Sequence, residues 1–192
     1  FSSRGWRSRG YLPHFDGGTI PQALAFRLAD SLPQSALQQR EQELKYLRLQ
    51  PSETEQKRRK RIERYLDLGY GRCELRRPDI GGIVESALLH FDGERYHIHV
   101  WVIMPNHVHS VVTPIEPYDL ASILHSWRSF TAIVANRILG RAGSFWLEEY
   151  YDRFIRDATY FQRPIEYVEQ NPVKAGLCRE PADWTFSSAR HK

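Results

Sequence analysis

Two histidines that are separated by a single residue have the spacing of a metal-binding pair. His107 and His109 flank Val108, and the tight turn Pro105-Asn106 comes directly before them. On a β-strand, residues i and i+2 project from the same face about 6.5–7 Å apart, so both imidazoles can reach one divalent metal through neutral ring nitrogens. The spacing alone leaves open both a metal site and histidines that only pack beside a turn.

A second pair with the same spacing, His97 and His99, lies on the strand before the turn. Trp101 and Ile103 continue the face of this pair, which predicts a face packed by helices. We therefore interpret His97 and His99 as structural residues. The alternative is a metal-dependent hydrolase that uses all four histidines and forms no covalent intermediate.

Tyr167 and Asn171 are the polar residues of interest in the last helical stretch of the chain. They are four residues apart, so they share one face of a helix. A tyrosine hydroxyl titrates near pKa 10 and becomes a nucleophile at neutral pH only beside a cation or a base. Without such a partner, the same residues are an ordinary core or rim aromatic and a helix-end asparagine. Tyr150 and Tyr151 are interpreted as strand residues.

The histidine pairs belong to the clearest strand pattern in the sequence. Residues 96–104 alternate in polarity, and residues 107–112 return after the turn, which predicts a β-hairpin. Further strands are predicted over residues 20–28 and 151–155. The expected inner face of the first hairpin strand consists of Tyr96, Ile98, Val100, Val102 and Met104.

Helical patterns separate and follow these strands. Helices are predicted over residues 35–46, 52–69, 80–90 and 120–139, and a last helix runs from an Asp157 cap to Gln170, where Asn171-Pro172 should end it. The residues expected to be buried are Ile83, Val84, Ala87, Leu88 and Leu89 in the third helix, and Leu120, Ile123, Leu124, Trp127, Phe130, Val134 and Ile138 in the fourth.

The order of these elements predicts an α+β fold. A ferredoxin-like antiparallel β-sheet with helices packed on one face fits this order best. The 192 residues correspond to one domain. Within it, residues 1–18 form an arm rich in glycine, arginine and aromatic residues, with no helical or strand period, and residues 35–90 form a helical insertion.

The composition is that of a globular protein. Hydrophobic residues make up 41% and charged residues 26% of the chain, which excludes a disordered chain. The net charge of +4 is compatible with a nucleic-acid partner but does not require one. Cys73 and Cys178 cannot form a disulfide framework, and no apolar run reaches the roughly 18 residues of a membrane span. We expect a soluble, cytoplasmic protein without a membrane partner, either monomeric or homodimeric.

Four segments follow one another in a characteristic order: residues 104–112 (MPNHVHSVV), 126–132 (SWRSFTA), 145–146 with 150–156 (FW and YYDRFIR), and 167–177 (YVEQNPVKAGL). Together they resemble the REP-associated single-tyrosine transposases. These transposases belong to the HUH nuclease superfamily, in which U is an apolar residue. The resemblance extends over about residues 10–190, and residues 35–90 are longer than in compact members.

The resemblance implies an HUH single-tyrosine nuclease fold. It implies a metal-dependent transposase or endonuclease that acts on single-stranded DNA beside hairpins of repetitive extragenic palindromes (REP). In this reading His107 and His109 bind Mg²⁺ or Mn²⁺ with Asn171 as third ligand, and Tyr167 is the nucleophile that forms a covalent 5′-phosphotyrosine. A 3′-hydroxyl can reverse this step without ATP. The family also implies a bacterial cytoplasmic protein, associated with the nucleoid when bound to DNA.

Basic and aromatic residues outside the metal site are predicted to contact DNA. Aromatic side chains in an arm suit base stacking in single strands, and a basic helix suits a phosphate backbone. The alternative for both is a solvated charged surface, and for the whole chain a catalytically silent DNA- or RNA-binding regulator. The predicted contacts are Trp6, Arg7, Arg9 and Tyr11 in the arm, Arg58, Arg59, Lys60 and Arg61 in the second helix, and Arg128 and Lys174 near the motifs.

Overall fold

The computed structural model describes the backbone of residues 5–9 and 12–16, and all atoms of residues 18–32, 62–155 and 161–192. Among the described helices, none is long and apolar enough to cross a membrane. The predicted helix over residues 35–46 lies outside the described residues, and so does the expected cap Asp157. Of the predicted helix over residues 52–69, only 62–69 are described; residues 62–67 are helical and 68–69 form a turn.

The arm contains a β-hairpin. Strand β1 (Gly5–Arg9) pairs with β2 (Leu12–Asp16) in antiparallel register, with Trp6 opposite Phe15. The expectation that this segment has no strand period is therefore wrong. Its frequent glycine and arginine residues hide the alternation, whereas pairing of the backbone groups does not require an apolar face.

The main sheet has four antiparallel strands. They are β3 (Gln22–Arg27), β4 (Tyr96–Ile103), β5 (His107–Pro114) and β6 (Tyr151–Phe154), in the spatial order β4-β5-β3-β6. The predicted strands and the turn at Pro105-Asn106 are confirmed, with the Met104 amide donating to the His107 carbonyl over 2.8 Å.

Helices cover both faces of this sheet, whereas we expected them on one. Helix α1 (Pro78–Leu89) packs beside α2 (Leu120–Ile138) on one face, and α3 (Gln162–Lys174) packs against β4 and β5 on the other. We call these the α1–α2 face and the α3 face. The α+β class with an antiparallel sheet is confirmed. The last part of the segment expected to be an insertion, helix α1, contributes to the core of the domain.

Helix α2 presents a narrower apolar face than the sequence predicts. It begins at Asp119, whose side chain accepts a hydrogen bond from the Ser122 amide, and ends before Gly140 at φ +60°. Phe130 and Ile138 were expected to be buried but are exposed, because Thr131 and Ala135 occupy the face toward the sheet. In α1, Ile83 and Leu89 are likewise not buried, and Ile80 and Gly81 are buried instead.

Helix α3 continues through Asn171-Pro172 to Lys174, although the sequence rule predicts that it ends before the proline. Pro172 lies in the last turn, where its ring removes only one internal hydrogen bond. Gly176 (φ +70°) follows the end of the helix and reverses the chain, with the Leu177 amide donating to the Pro172 carbonyl over 2.9 Å. This left-handed glycine ending satisfies the last carbonyls, and it keeps Asn171 inside the helix.

A β-bulge at His99 reverses the alternation of β4. Ile98 pairs with Val112, but Val100 pairs with Val111, so His99 is the extra residue. The predicted single inner face of residues 96–104 is therefore wrong beyond the bulge. Tyr96, Trp101 and Ile103 face α1 and α2, whereas Val100, Val102 and Met104 face α3.

Candidate active site

Strand β5 places His107 and His109 on the α3 face. Val108 and Val112 point into the core under α1 and α2, whereas Val111 belongs to the core under α3. The two histidines alternate with the first set, so they share the second face. Their ring centroids are 4.8 Å apart, with the ring planes nearly perpendicular.

Helix α3 brings Tyr167 to this pair. The tyrosine ring lies edge to face on His109, with ring centroids 5.7 Å apart. Asn171 follows one turn later and is 4% exposed, with its amide nitrogen 3.4 Å from the Tyr167 carbonyl. The structure thus puts the predicted nucleophile and the helix that carries the predicted third ligand on the face of the histidines.

The environment of His107 favours the neutral imidazole. Its pKa is held well below the ordinary histidine value, first by complete burial and then by the neighbouring His109 and Arg27. A neutral ring nitrogen is the form that binds a metal. Burial therefore keeps this histidine in the ligand form at neutral pH.

The separation of the two histidine rings is compatible with a shared small octahedral cation. With metal–nitrogen bonds of about 2.1 Å, two imidazoles that share a metal at right angles place their ring centroids about 4.6 Å apart. The separation of 4.8 Å in this chain is close to that value. His107 also has its Nδ1 engaged by the Asn106 side chain at 2.7 Å, which leaves Nε2 as the nitrogen for a ligand. The donor set of two imidazoles and an amide suits Mg²⁺ or Mn²⁺ only with further oxygen ligands such as phosphate and water.

Comparisons with known proteins bear on this arrangement. The REP-associated tyrosine transposase of Escherichia coli (strain K12) is 27% identical over 95 residues, which are 48% of this chain and 54% of that protein. The solved structure of a REP-associated tyrosine transposase bound to a REP hairpin superposes with a TM-score of 0.59 at 16% identity, over 95% of this chain and 84% of the other. The resemblance to the REP-associated tyrosine transposases is confirmed.

The match to these transposases has a defined extent. The chain spans about half the length of the Escherichia coli relative, and no family model matches it. The structural match shows that the antiparallel α+β fold of the transposase is shared along nearly the whole chain.

The DNA contacts predicted from the basic and aromatic residues are distributed unevenly over the described residues. Lys174 lies beside the site, with its ammonium 4.7 Å from the centroid of the Tyr167 ring. Arg128 instead donates hydrogen bonds from its guanidinium to the carbonyls of Leu147 and Glu148. Trp6, Arg7 and Arg9 lie in β1 with side chains outside the described residues, and Tyr11, Arg58, Arg59, Lys60 and Arg61 lie outside them altogether.

His97 and His99 do not join the site formed by His107, His109 and Tyr167. His97 pairs with Thr113, and His99 Nε2 lies 2.7 Å from the Thr113 hydroxyl. Thr113 is four residues beyond His109, roughly 13 Å along the strand. The described segments contain no group of three or more histidine, cysteine, aspartate or glutamate residues able to hold a metal. A hydrolase centre of all four histidines is therefore not formed.

Sequence reasoning missed two residues at the site. Asn106 was read only as part of a turn, yet its side chain bonds to His107. Arg27 lies opposite His107 in the β3–β5 register, and its charge contributes to the lowered pKa of that histidine. The position of Asn106 directly before the candidate ligand His107 could have indicated its role. The proximity of Arg27 to His107 could not be predicted, because it depends on the register of β3 against β5.

Proposed function

We propose that this chain cleaves and rejoins single-stranded DNA at hairpin, REP-like sequences, with Tyr167 as the nucleophile. The observation that carries the proposal is the contact between the Tyr167 ring and His109 on the α3 face, at 5.7 Å between ring centroids. A tyrosine beside a pair of histidines is an arrangement suited to attack on a phosphodiester that a metal would polarise. The likeness to the REP-associated tyrosine transposases supports this reaction class.

The proposed reaction exchanges one phosphodiester for another. Tyr167 loses its phenol proton to solvent, and its oxygen attacks the phosphorus of the scissile phosphate. The bond from phosphorus to the 3′-oxygen breaks, and that oxygen takes up a proton and leaves as a 3′-hydroxyl. The downstream strand remains joined to the protein through a 5′-phosphotyrosine. Attack by a 3′-hydroxyl reverses these steps, so the energy of the bond is conserved.

Three side chains are proposed to hold the metal: His107, His109 and Asn171. A bound Mg²⁺ or Mn²⁺ neutralises negative charge on the phosphate and orients the scissile bond. The lowered pKa of His107 and the spacing of the two rings support this assignment. Asn171 is buried one helical turn from Tyr167, so the ligand and the nucleophile are held by the same helix.

Lys174 is proposed to assist the nucleophile. Its ammonium group lies 4.7 Å from the centroid of the Tyr167 ring, and positive charge over an aromatic face is favourable. When the phenol loses its proton, the attraction increases because the ring and oxygen then carry a full negative charge. The same ammonium is available to a phosphate that approaches Tyr167.

The proposed partner is a DNA hairpin with a flanking single strand. A solved transposase of the same fold is bound to a REP hairpin, and the net charge of +4 suits a polyanion. The aromatic and basic arm, with Trp6, Arg7 and Arg9 in β1, is proposed to contact the flanking single strand.

The test uses the polarity of the proposed linkage. The protein is incubated with Mg²⁺ or Mn²⁺ and REP-like hairpin oligonucleotides that carry a label at either the 5′ or the 3′ end. A 5′-phosphotyrosine makes the 3′ label migrate with denatured protein, while the 5′ label leaves on a free shortened strand. Peptide mass spectrometry then locates the adduct on Tyr167.

Matched variants separate this proposal from its rivals. Tyr167→Phe should abolish both adduct and cleavage, whereas Tyr151→Phe should retain both. Cleavage without any protein-linked label would indicate a non-covalent hydrolase. Binding without cleavage of any hairpin, under conditions where the complex is saturated, would indicate a silent DNA-binding regulator.

A further inference from the structure

The side chain of Asn106 connects the proposed metal ligand His107 to the chain segment that precedes α1. Asn106 is completely buried. Its Nδ2 donates to the Tyr70 carbonyl over 2.9 Å, and its Oδ1 lies 2.7 Å from His107 Nδ1. Both the nitrogen and the oxygen of the Asn106 side chain are therefore hydrogen-bonded, the nitrogen to the Tyr70 carbonyl and the oxygen to His107.

These two bonds fix the hydrogen positions on His107. The Tyr70 carbonyl can only accept a hydrogen bond, so the Asn106 group that faces it must be the NH₂ group. The oxygen of Asn106 therefore faces His107, and because it can only accept, His107 Nδ1 must carry a hydrogen. In a neutral imidazole the other nitrogen, Nε2, then keeps its lone pair.

From this geometry we propose that Asn106 is a positioning residue, which holds His107 in the tautomer that offers Nε2 to the metal. The inference rests on the proposed function, because it assigns His107 a ligand role. Neutral imidazole by itself favours the opposite tautomer, with hydrogen on Nε2. Hydrogen-bond partners of metal-binding histidines set their tautomer and orientation, and loss of such a partner typically lowers metal affinity about 10–100-fold.

Asn106 is itself held from two sides. Its carbonyl accepts from the Leu28 amide over 2.9 Å, which ties the turn to the end of β3. The Tyr70 carbonyl is held because the next residue, Gly71, has φ +88° and packs on Asp30, where a Cβ atom would lie 2.6 Å from the Asp30 carbonyl oxygen. The segment before α1 therefore contributes to the orientation of the proposed metal ligand.

The first measurement reads the tautomer directly in metal-free protein. Long-range ¹H–¹⁵N correlation at about pH 8, where histidines are neutral, distinguishes a ring nitrogen that carries hydrogen from one that does not. The His107 signals are assigned by their loss in His107→Gln. The expected result is hydrogen on Nδ1 and a lone pair on Nε2. Hydrogen on Nε2 in the wild type would overturn the proposal, whatever the enzyme does.

The second measurement compares Mn²⁺ affinity among variants, using the electron paramagnetic resonance signal of free Mn²⁺. Asn106→Ala should bind Mn²⁺ about 10–100-fold more weakly and should show hydrogen on Nε2. Asn106→Asp keeps an acceptor for His107 and should retain hydrogen on Nδ1. It also removes the donor to the Tyr70 carbonyl and buries a carboxylate, so it should be less stable than the wild type. Asn136→Ala removes a comparable bond, from Nδ2 to the Gly143 carbonyl at 2.9 Å, and should leave both readouts unchanged.

The outcomes separate this inference from the proposed function. Lack of Mn²⁺ binding by the wild type would overturn the metal site itself. Wild-type binding together with unchanged affinity in a folded Asn106→Ala would overturn only the role of Asn106. If Asn106→Ala does not fold, the wild-type tautomer still decides the question, because hydrogen on Nε2 overturns the proposal.

Discussion

The rings of His109 and Tyr167 meet edge to face across the contact between β5 and α3, with centroids 5.7 Å apart. One residue comes from a strand whose alternation is set by its apolar neighbours, and the other from a helix that packs on the same sheet. Neither element alone contains a site. The contact brings together the histidine pair and the tyrosine, each of which is a weak signal in the sequence. Each can be tested by its own substitution.

Two replacements of Asn171 should show whether its side-chain oxygen binds the metal. Asn171→Ala removes the proposed third ligand, so half-maximal cleavage should require at least about tenfold more Mn²⁺. Asn171→Asp keeps an oxygen ligand and should need no more Mn²⁺ than the wild type. The measurement is a Mn²⁺ titration of single-turnover cleavage. Equal requirements in the alanine variant and the wild type would remove Asn171 from the metal site.

Replacement of Lys174 should slow cleavage without removing it. Lys174→Met eliminates the ammonium 4.7 Å from the Tyr167 ring centroid, and an exposed cation–π contact corresponds to about 0.5–1 kcal/mol, or about two- to fivefold in rate. Lys174→Arg keeps the cation and serves as the control. Single-turnover rates at saturating DNA report the effect on the chemical step. A change confined to DNA affinity would instead assign Lys174 to phosphate binding.

The buried hydroxyl of Tyr96 should stabilise the domain without any part in the reaction. It accepts from Trp127 Nε1 and donates to the Leu88 carbonyl, both over 2.9 Å. That carbonyl lies in the last turn of α1, where no helical partner exists. Tyr96→Phe should therefore lower the free energy of unfolding by about 1–3 kcal/mol in urea denaturation. Tyr118→Phe alters an exposed tyrosine and should have no comparable effect.

Gln22 should be replaceable with a gain in stability. Its side chain is completely buried, and neither amide atom has a hydrogen-bond partner among the described residues. Gln22→Met has nearly the same shape without the desolvated amide, so the free energy of unfolding should rise by about 1 kcal/mol. Gln22→Glu should be strongly destabilising, because it buries a charge. Destabilisation by methionine would reveal that the amide is paired with an ordered water.

The parts of the fold that depend on local alternation could be predicted from the sequence. The period of two in residues 107–112 correctly separates the histidines from Val108, and the span of α2 follows from its apolar period and from Gly140 at its end. The exposure of Phe130 could not be predicted, because several apolar residues of α2 compete for one face and only packing decides among them.

The sequence-based predictions failed where the structure depends on the register of neighbouring strands or on the position of a residue within its helix. The extra residue at His99 is defined only by the register of β4 against β5. Pro172 was expected to end α3, but in a last turn the missing amide hydrogen has little cost. The contact of Tyr167 with His109 joins residues far apart in the chain, so spacing permitted it and only the family resemblance predicted it.

The uninterrupted course of α3 through Pro172 has a mechanical consequence. Tyr167 and Asn171 lie on one continuous helix, about 6 Å apart along its axis. A shift of this helix relative to the sheet would move both side chains away from the histidines together. No small shift of the helix can move one of them and leave the other in place. The proposed nucleophile and the proposed metal ligand would therefore move together relative to the sheet.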